Sequence, residues 1–353
     1  FFDKSYNYKK LFDPQTQWMR GKNEDGTFQF PFNPLKWGDA FTEGNSIHYT
    51  WSVFHDVEGL IQLMGGKDHF ARKLDEVFEM PPKFDNSYYG FTIHEIREMQ
   101  IVNMGNYAHG NQPIQHMIYL YNYANQAYKA QKKVRNVLTK LYAPTPDGYC
   151  GDEDNGQTSA WYVFSALGFY PVTPGVDQYV MGSPLFKKAT LSLQNGNQFT
   201  ISASNNSRKN VYINSASFNG ESWNNSYLEF DRIQNGGLLE FDMSPVPNKS
   251  WASTTDNVPF SMSNSLVEWS LKILWFGLKV DLKKVGYGYL NWVISEAKKL
   301  FSMKKIFTFL KCFFLNLLLS LAACSNESGE LDIYNKTDVK STKTWNQETE
   351  TSI

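Results

Sequence analysis

The sequence predicts an α+β protein of several domains, with antiparallel helix pairs of an α/α barrel or toroid followed by a small antiparallel β-domain of sandwich type. Three observations predict this. Apolar residues recur at helical spacing through residues 1–177. From 178 to 263 the alternation turns to period two. The chain has 353 residues, enough for two or more domains.

Within the first part, residues 49–61 place apolar side chains on one helical face and run toward Gly65-Gly66, a stop signal. Residues 68–78 give a second helix. Residues 113–131 give a third, with Ile114, Met117, Ile118, Tyr121 and Ala124 in one stripe, and 132–142 continue after a break. Residues 158–167 are a fifth, closed by Gly168. The Gly/Asn/Pro loops between them hold most of the unusual polar residues, as in a toroid whose functional loops gather at one end. In the second part, strands are expected at 189–193, 198–203, 211–213 and 238–241, with turns at Asn195-Gly196-Asn197 and Asn219-Gly220.

Past residue 263 the character shifts. Residues 264–302 read as a read-through or fusion segment. Met303-Lys304-Lys305, an apolar run over 306–323 and small residues before Cys324 make a secretory signal that resembles a bacterial lipobox. A signal-like helix is therefore expected at 303–324 and a polar, disordered tail at 325–353. Such a signal belongs at an N-terminus, so 303–353 looks like the start of an unrelated lipoprotein joined to the first reading frame. A C-terminal membrane anchor is the rival reading, weakened by Lys311 and Asn316 inside the run. The sequence opens on Phe1, not Met, which suggests an absent upstream part.

With 34 basic and 35 acidic residues, nothing in the charge balance argues for a nucleic-acid partner. Three cysteines, Cys150, Cys312 and Cys324, make neither a disulfide framework nor a spaced zinc site. Cys150 reads as a small buried neighbour of the acidic segment beside it. All six histidines fall between 48 and 116 without a His-Glu-x-x-His arrangement, so hydrogen bonds to loop backbone or substrate fit better than metal ligation.

The carboxylates carry more information. Asp152 and Asp154 are two apart in a Gly-bounded loop, and in an extended stretch they would project to one side and could hold a water. Alternatively, Asp154 or Asn155 caps the helix that follows. Glu43 lies among aromatics in a loop, where an apolar surround would keep a carboxyl protonated, as a general acid needs. A third group, Ile93-His94-Glu95-Ile96-Arg97-Glu98-Met99, precedes a polar Gly/Asn stretch at 105–113. Its oxygens suit a hard cation such as Ca²⁺.

Three segments together resemble glycoside hydrolase family 92. They are Trp37-Gly38-Asp39-Ala40-Phe41-Thr42-Glu43-Gly44-Asn45, Gly105-Asn106-Tyr107-Ala108-His109-Gly110-Asn111-Gln112-Pro113 and Gly151-Asp152-Glu153-Asp154-Asn155-Gly156-Gln157-Thr158-Ser159-Ala160-Trp161-Tyr162. The resemblance covers about residues 1–262. It implies a calcium-dependent, exo-acting, inverting α-mannosidase whose partners are α-mannoside glycans, N-glycan or mannan. Such enzymes are common in gut Bacteroidetes, in the periplasm or on the outer surface. It also implies that 1–177 is part of an (α/α)₆ barrel, 178–263 the C-terminal β-domain, and that an N-terminal β-sandwich is missing. By the resemblance, Glu43 is the general acid and Asp154, with Asp152, the general base. His94 and Glu95 serve the leaving-sugar subsite, with Trp37, His109 and Asn111 as further substrate contacts, and Glu98 and Asp154 as calcium ligands. The catalytic part is expected to make no membrane contact.

Overall fold

The computed structural model describes residues 2–264. The read-through segment, signal-like helix and tail expected at 265–353 lie outside the described residues. Two short helices, α1 (Phe2–Ser5) and α2 (Tyr8–Leu11), lead into a two-residue antiparallel pair, β1 (Phe12–Asp13) and β2 (Trp18–Met19). The helical body follows: α3 (Ser46–Tyr49), α4 (Val57–Leu63), α5 (Lys67–Glu79), α6 (His94–Val102), two 3₁₀ turns at Gln112–Ile114 and Met117–Asn122, α7 (Ala127–Lys140) and α8 (Gln157–Leu167).

Local chemistry explains where these helices depart from the periodicity. The helix expected over 49–61 is two helices, each with its own cap. Asn45 accepts the His48 N–H at the start of α3, and Asp56 accepts the Gly59 N–H at the start of α4. The helix expected over 113–131 is 3₁₀ structure, and the break falls at 122–126 instead of 131. There the Asn122 amide donates to the Tyr119 and Met181 carbonyls, and Asn125 turns to φ 59°. Helix α5 and helix α8 stand within a residue of their expected limits. Gly168, at φ 108°, closes α8 in the left-handed conformation that glycine adopts freely. Helix α6 was not among the five expected helices; it starts without a side-chain cap at Ile93.

One apolar cluster fills this body. Trp37, Trp51, Trp161, Tyr107, Tyr119 and Phe70 are its largest members, all fully buried. Burying a large side chain of this kind contributes about 2–3 kcal/mol.

Ten strands are described in all, eight of them after α8: β3 (Phe169–Tyr170), β4 (Gln178–Met181), β5 (Lys188–Ser192), β6 (Gln198–Ser204), β7 (Tyr212–Phe218), β8 (Glu221–Ser222), β9 (Tyr227–Glu229) and β10 (Gly237–Ser244). They form a five-stranded sheet, β5-β6-β10-β7-β8, and a three-stranded one, β3-β4-β9. Period two is visible in the burial. Phe199, Ile201 and Ala203 of β6, with Leu239, Phe241 and Met243 of β10, enter a second apolar cluster.

The purely antiparallel reading needs correction. Strand β10 runs parallel to β6, Leu239 beside Ile201, and antiparallel to β7, Leu239 beside Phe218. After β7 the chain passes through β8, β9 and α9 (Phe230–Gln234) before returning, and that long excursion permits a parallel insertion. Alternation along a strand reports its faces, not its direction.

Helix α7 is fastened to the sheets through Arg135. Its guanidinium donates to the Pro184 carbonyl (2.6 Å), Asn206 Oδ1 (2.7 Å) and the Ser207 carbonyl (2.9 Å). A second fastening is Asp56, fully buried. It accepts from Tyr8 Oη (2.8 Å), Ser261 Oγ (3.0 Å), and Ser263 N and Oγ (2.9 Å each). Burial works to raise the Asp56 pKa, but these donors outweigh it and hold the carboxyl below its ordinary range.

Candidate active site

Three loops far apart in sequence meet, with helix α6, at one rim. The loop carrying Glu43 is closed by the Gly38 N–H donating to the Gly44 carbonyl at 2.8 Å. Gly38 stands at φ 87° and Glu43 at φ 49°. Tyr49 donates to the Thr42 carbonyl, and the Asn111 amide donates to the Glu43 carbonyl. Glu43 is thereby presented on an exposed turn whose backbone is held from two sides.

Gly110 and Gly151 touch directly. A Cβ on Gly151 would lie 2.3 Å from the Gly110 carbonyl oxygen, and one on Gly110 would lie 2.9 Å from Glu98 Oε2. Only residues without side chains let the 105–113 and 150–157 loops close on the Glu98 carboxylate. Glu98, on α6, receives the Gly151 backbone N–H. Burial raises its pKa; Glu95 and Asp152 add to the rise, and His94 opposes them.

His94 bridges the two acidic stretches, with Nδ1 3.3 Å from Glu95 Oε2 and Nε2 3.4 Å from Asp152 Oδ2. The first contact is not aligned as a hydrogen bond, and Glu95 Oε2 is buried without a donor. We take the pair as an electrostatic contact only.

The acidic loop itself resolves the two readings of its carboxylates. Glu153 is the residue that caps α8: its carboxylate accepts the Gly156 N–H at 2.6 Å and the Ser159 hydroxyl at 2.5 Å. Those bonds hold its pKa low. Asp154 and Asn155 both turn to φ 55°, so the cap expected from them is absent, and so is the extended stretch expected to align Asp152 with Asp154. Asp154 is nonetheless close enough to feel Asp152. Its pKa is raised by burial first, then by Asp152, Glu43 and Glu153, with His94 opposing. Glu43 and Asp154, 111 positions apart, thus share one field.

Other expected contacts are placed differently. Trp37 is fully buried, edge-on to His48 at 4.9 Å, and His109 is 2% exposed. His109 Nδ1 meets Tyr107 Oη at 2.7 Å and Nε2 meets Tyr142 Oη at 2.8 Å, so neither ring nitrogen is left for a sugar. Burial pushes its pKa down to about 3. Asn111 is buried and its amide is committed to the Glu43 carbonyl. These three are walls and struts of the site. His48, His55 and His116 bond to the backbone carbonyls of Asn106, Ser5 and Trp51. Cys150 is half-buried and its thiol is pushed up to about 12 by burial, which fits a packing role. Sequence reasoning missed Glu153 as cap and Tyr89 as a neighbour of Glu43. The two left-handed residues before Gly156 were a usable signal for the first.

Among the described residues no three His, Cys, Asp or Glu side chains converge as a ready-made metal cage. The oxygens nevertheless fit a hard cation. Glu95 Oε2 and Glu98 Oε2 are both buried and unpartnered. A cavity of about 10 Å³, lined by Glu95, Glu98, Gly110, Asn111 and Cys150, adjoins them.

Paired acids presented by loops on a helical body, with sheets behind, define the class: a glycosidase-type catalytic domain. The chain belongs to glycosyl hydrolase family 92, whose catalytic domain matches residues 1–245. It is similar to a family GH92 inverting mannosidase from Bacteroides thetaiotaomicron, 50% identical, TM-score 0.66, over 74% of this chain and 36% of that one. A GH92 α-mannosidase from the same organism, solved with mannoimidazole, is 36% identical with TM-score 0.65, over 72% and 33%. An uncharacterized secreted glycosidase from Arthroderma benhamiae is 25% identical, over 74% of this chain and 34% of the relative. The chain thus spans about a third of the length of these relatives.

Proposed function

We propose that this chain carries the catalytic carboxylates of an α-mannosidase that releases terminal mannose with inversion. The observation that carries the proposal is the meeting of the Glu43 loop and the Asp152–Asp154 loop on the 105–113 loop, through Asn111 on the Glu43 carbonyl and Gly110 against Gly151. Glu43 protonates the departing glycosidic oxygen as the C1–O bond breaks. Asp154, with Asp152, accepts a proton from the water that attacks C1 from the other face. An inverting pair needs its carboxyl groups about 6.5–9.5 Å apart to seat that water. His94 and Glu95 hold the leaving sugar, which favours an α1,2-linked substrate on N-glycans or mannan.

Calcium would be held by Glu98 with Asp154 and backbone oxygens of the adjoining loops. When bound, it supplies a Lewis acid for the vicinal hydroxyls of mannose. We further place residues 1–177 in an (α/α)₆ barrel and 178–263 in a β-sandwich-type domain. The rest of the barrel and an N-terminal β-sandwich would come from the remainder of a longer periplasmic or surface protein.

The test is mannose release from α1,2-mannobiose. Activity is expected to vanish with EDTA and return with calcium. Glu43→Gln should lower kcat/KM by about 10²–10⁴-fold with unfolding unchanged. NMR should detect β-mannose first; α-mannose as first product would refute inversion. A second reading, a carbohydrate-binding remnant without turnover, is favoured by the third-length coverage of the relatives. Mannose binding by the folded chain without hydrolysis would select it.

A further inference from the structure

The loop between Asp85 and Ile93 is built unlike an ordinary surface loop. Its ends are joined by the Asn86 amide donating to Thr92 Oγ1 at 2.8 Å. The Tyr89 and Gly90 N–H groups both donate to the Asn86 carbonyl, at 3.2 and 3.1 Å, and Gly90 turns at φ 75°. On this braced turn stand three aromatics. Tyr88 meets Tyr89 edge-on at 5.2 Å, and Tyr89 meets Phe91 at 6.4 Å. Such rings normally turn inward. Here Tyr88 is 57% exposed and Phe91 63% exposed.

The turn is also locked to the loop of Glu43. A Cβ on Gly38 would lie 2.5 Å from the Tyr88 ring and 3.0 Å from that of Tyr89. The Tyr89 hydroxyl lies near the Glu43 backbone and feels both Glu43 and Glu95. Tyr89 is therefore a neighbour both of the loop that carries Glu43 and of the start of α6, where His94 and Glu95 stand. Phe91 precedes His94 by three positions. Two exposed rings thus stand on the turn that abuts the Glu43 loop at Gly38 and leads into α6.

We propose that Tyr88 and Phe91 form a stacking platform for a further pyranose, the one beyond the departing sugar. The apolar C–H face of a sugar ring matches an exposed aromatic face, and rigid rings lose little freedom on contact. The proposal rests on the mannosidase reading and deepens it, turning the enzyme toward oligosaccharides over disaccharides.

The test is calorimetric binding of methyl α-mannoside, α1,2-mannobiose and α1,2-mannotriose by the full chain, with Glu43→Gln present in the wild type and in every variant alike so that no sugar is cleaved. Wild type should bind the triose at least about fivefold tighter than the biose, from one added stacking contact. Tyr88→Ala and Phe91→Ala should each erase most of that gain and change methyl α-mannoside affinity less than about twofold. Tyr88→Leu and Phe91→Leu keep apolar bulk without a ring face and answer the question if the alanine variants do not fold. Tyr88→Phe should retain the gain. Equal triose binding by wild type and folded variants overturns the platform while leaving the mannosidase reading intact. An equal loss for all three sugars overturns it too, since the rings then shape the mannose site. A wild-type chain that binds none of the three overturns both.

Discussion

At the fastenings of the fold, polar groups are mostly closed, although Arg135 keeps its buried Nε–H without an acceptor. Arg135 donates to three acceptors, two of them buried, and Asp56 accepts from donors on three segments, all without an opposite charge. At the rim the same kinds of group are left open. Asp152 is 72% exposed, His94 54%, and Glu95 and Glu98 each keep a buried oxygen without a donor. A closed polar group fixes one geometry, because leaving any partner unpaired costs about 1–3 kcal/mol. An open one holds its capacity for something that arrives. At the rim the unpartnered atoms are carboxylate oxygens, which a cation or a sugar hydroxyl can satisfy.

The largest effect that could break this contrast is at Asp56. Replacing it with Ala strands the Tyr8, Ser261 and Ser263 donors and should cost about 3–5 kcal/mol in urea unfolding. Its contribution is present above the unfolded carboxyl pKa and lost as pH falls through the depressed folded value. The wild-type and Asp56→Asn unfolding curves should therefore converge in acid. Arg135→Met strands the buried Asn206 Oδ1 and leaves the Pro184 carbonyl only its Asn206 donor, and should cost about 1–3 kcal/mol, with no change in methyl α-mannoside binding.

Acid should also undo the helical body through its histidines. His48 and His109 are held neutral by burial, with pKa values near 4 and 3. The unfolded chain takes protons below about 6.5 where the folded one does not, so stability should fall by roughly a few kcal/mol between pH 6.5 and 4. A flat stability profile there would refute the burial of those rings. The smallest expected effect is at the rim. Glu98→Gln removes a half-buried charge whose Oε2 has no donor and should raise stability by about 0.5–1 kcal/mol without calcium. Added calcium should stabilise the wild type and not this variant.

Much of this contrast was legible in the residues. Helices α5 and α8 and the main strands follow their hydrophobic periods, and the loops of Glu43, Glu98 and Asp154 stood out by residue type. What escaped reading depends on long-range partners. Asn122 breaks its helix because Met181 offers a carbonyl 59 positions away. Strand β10 is parallel to β6 because of where the intervening chain returns. His109 and Trp37 looked like sugar contacts because polar and aromatic residues near acids invite that reading, yet packing had already claimed both. Glu153 took the cap because two left-handed residues turned it, and not Asp154, toward the first N–H groups.

The grip of Asp56 has a mechanical side. It holds residue 8 and residues 261–263 at one carboxylate, and Met262 is further pinned by the His55 carbonyl. The two ends of the described body therefore leave it at nearly the same point. Chain that enters and leaves a body at one point meets it as a single stem. Tension applied between residues 2 and 264 would reach the stem before it reached Glu43 or Asp154, so pulling would unlatch the ends while the carboxylate rim was still at rest.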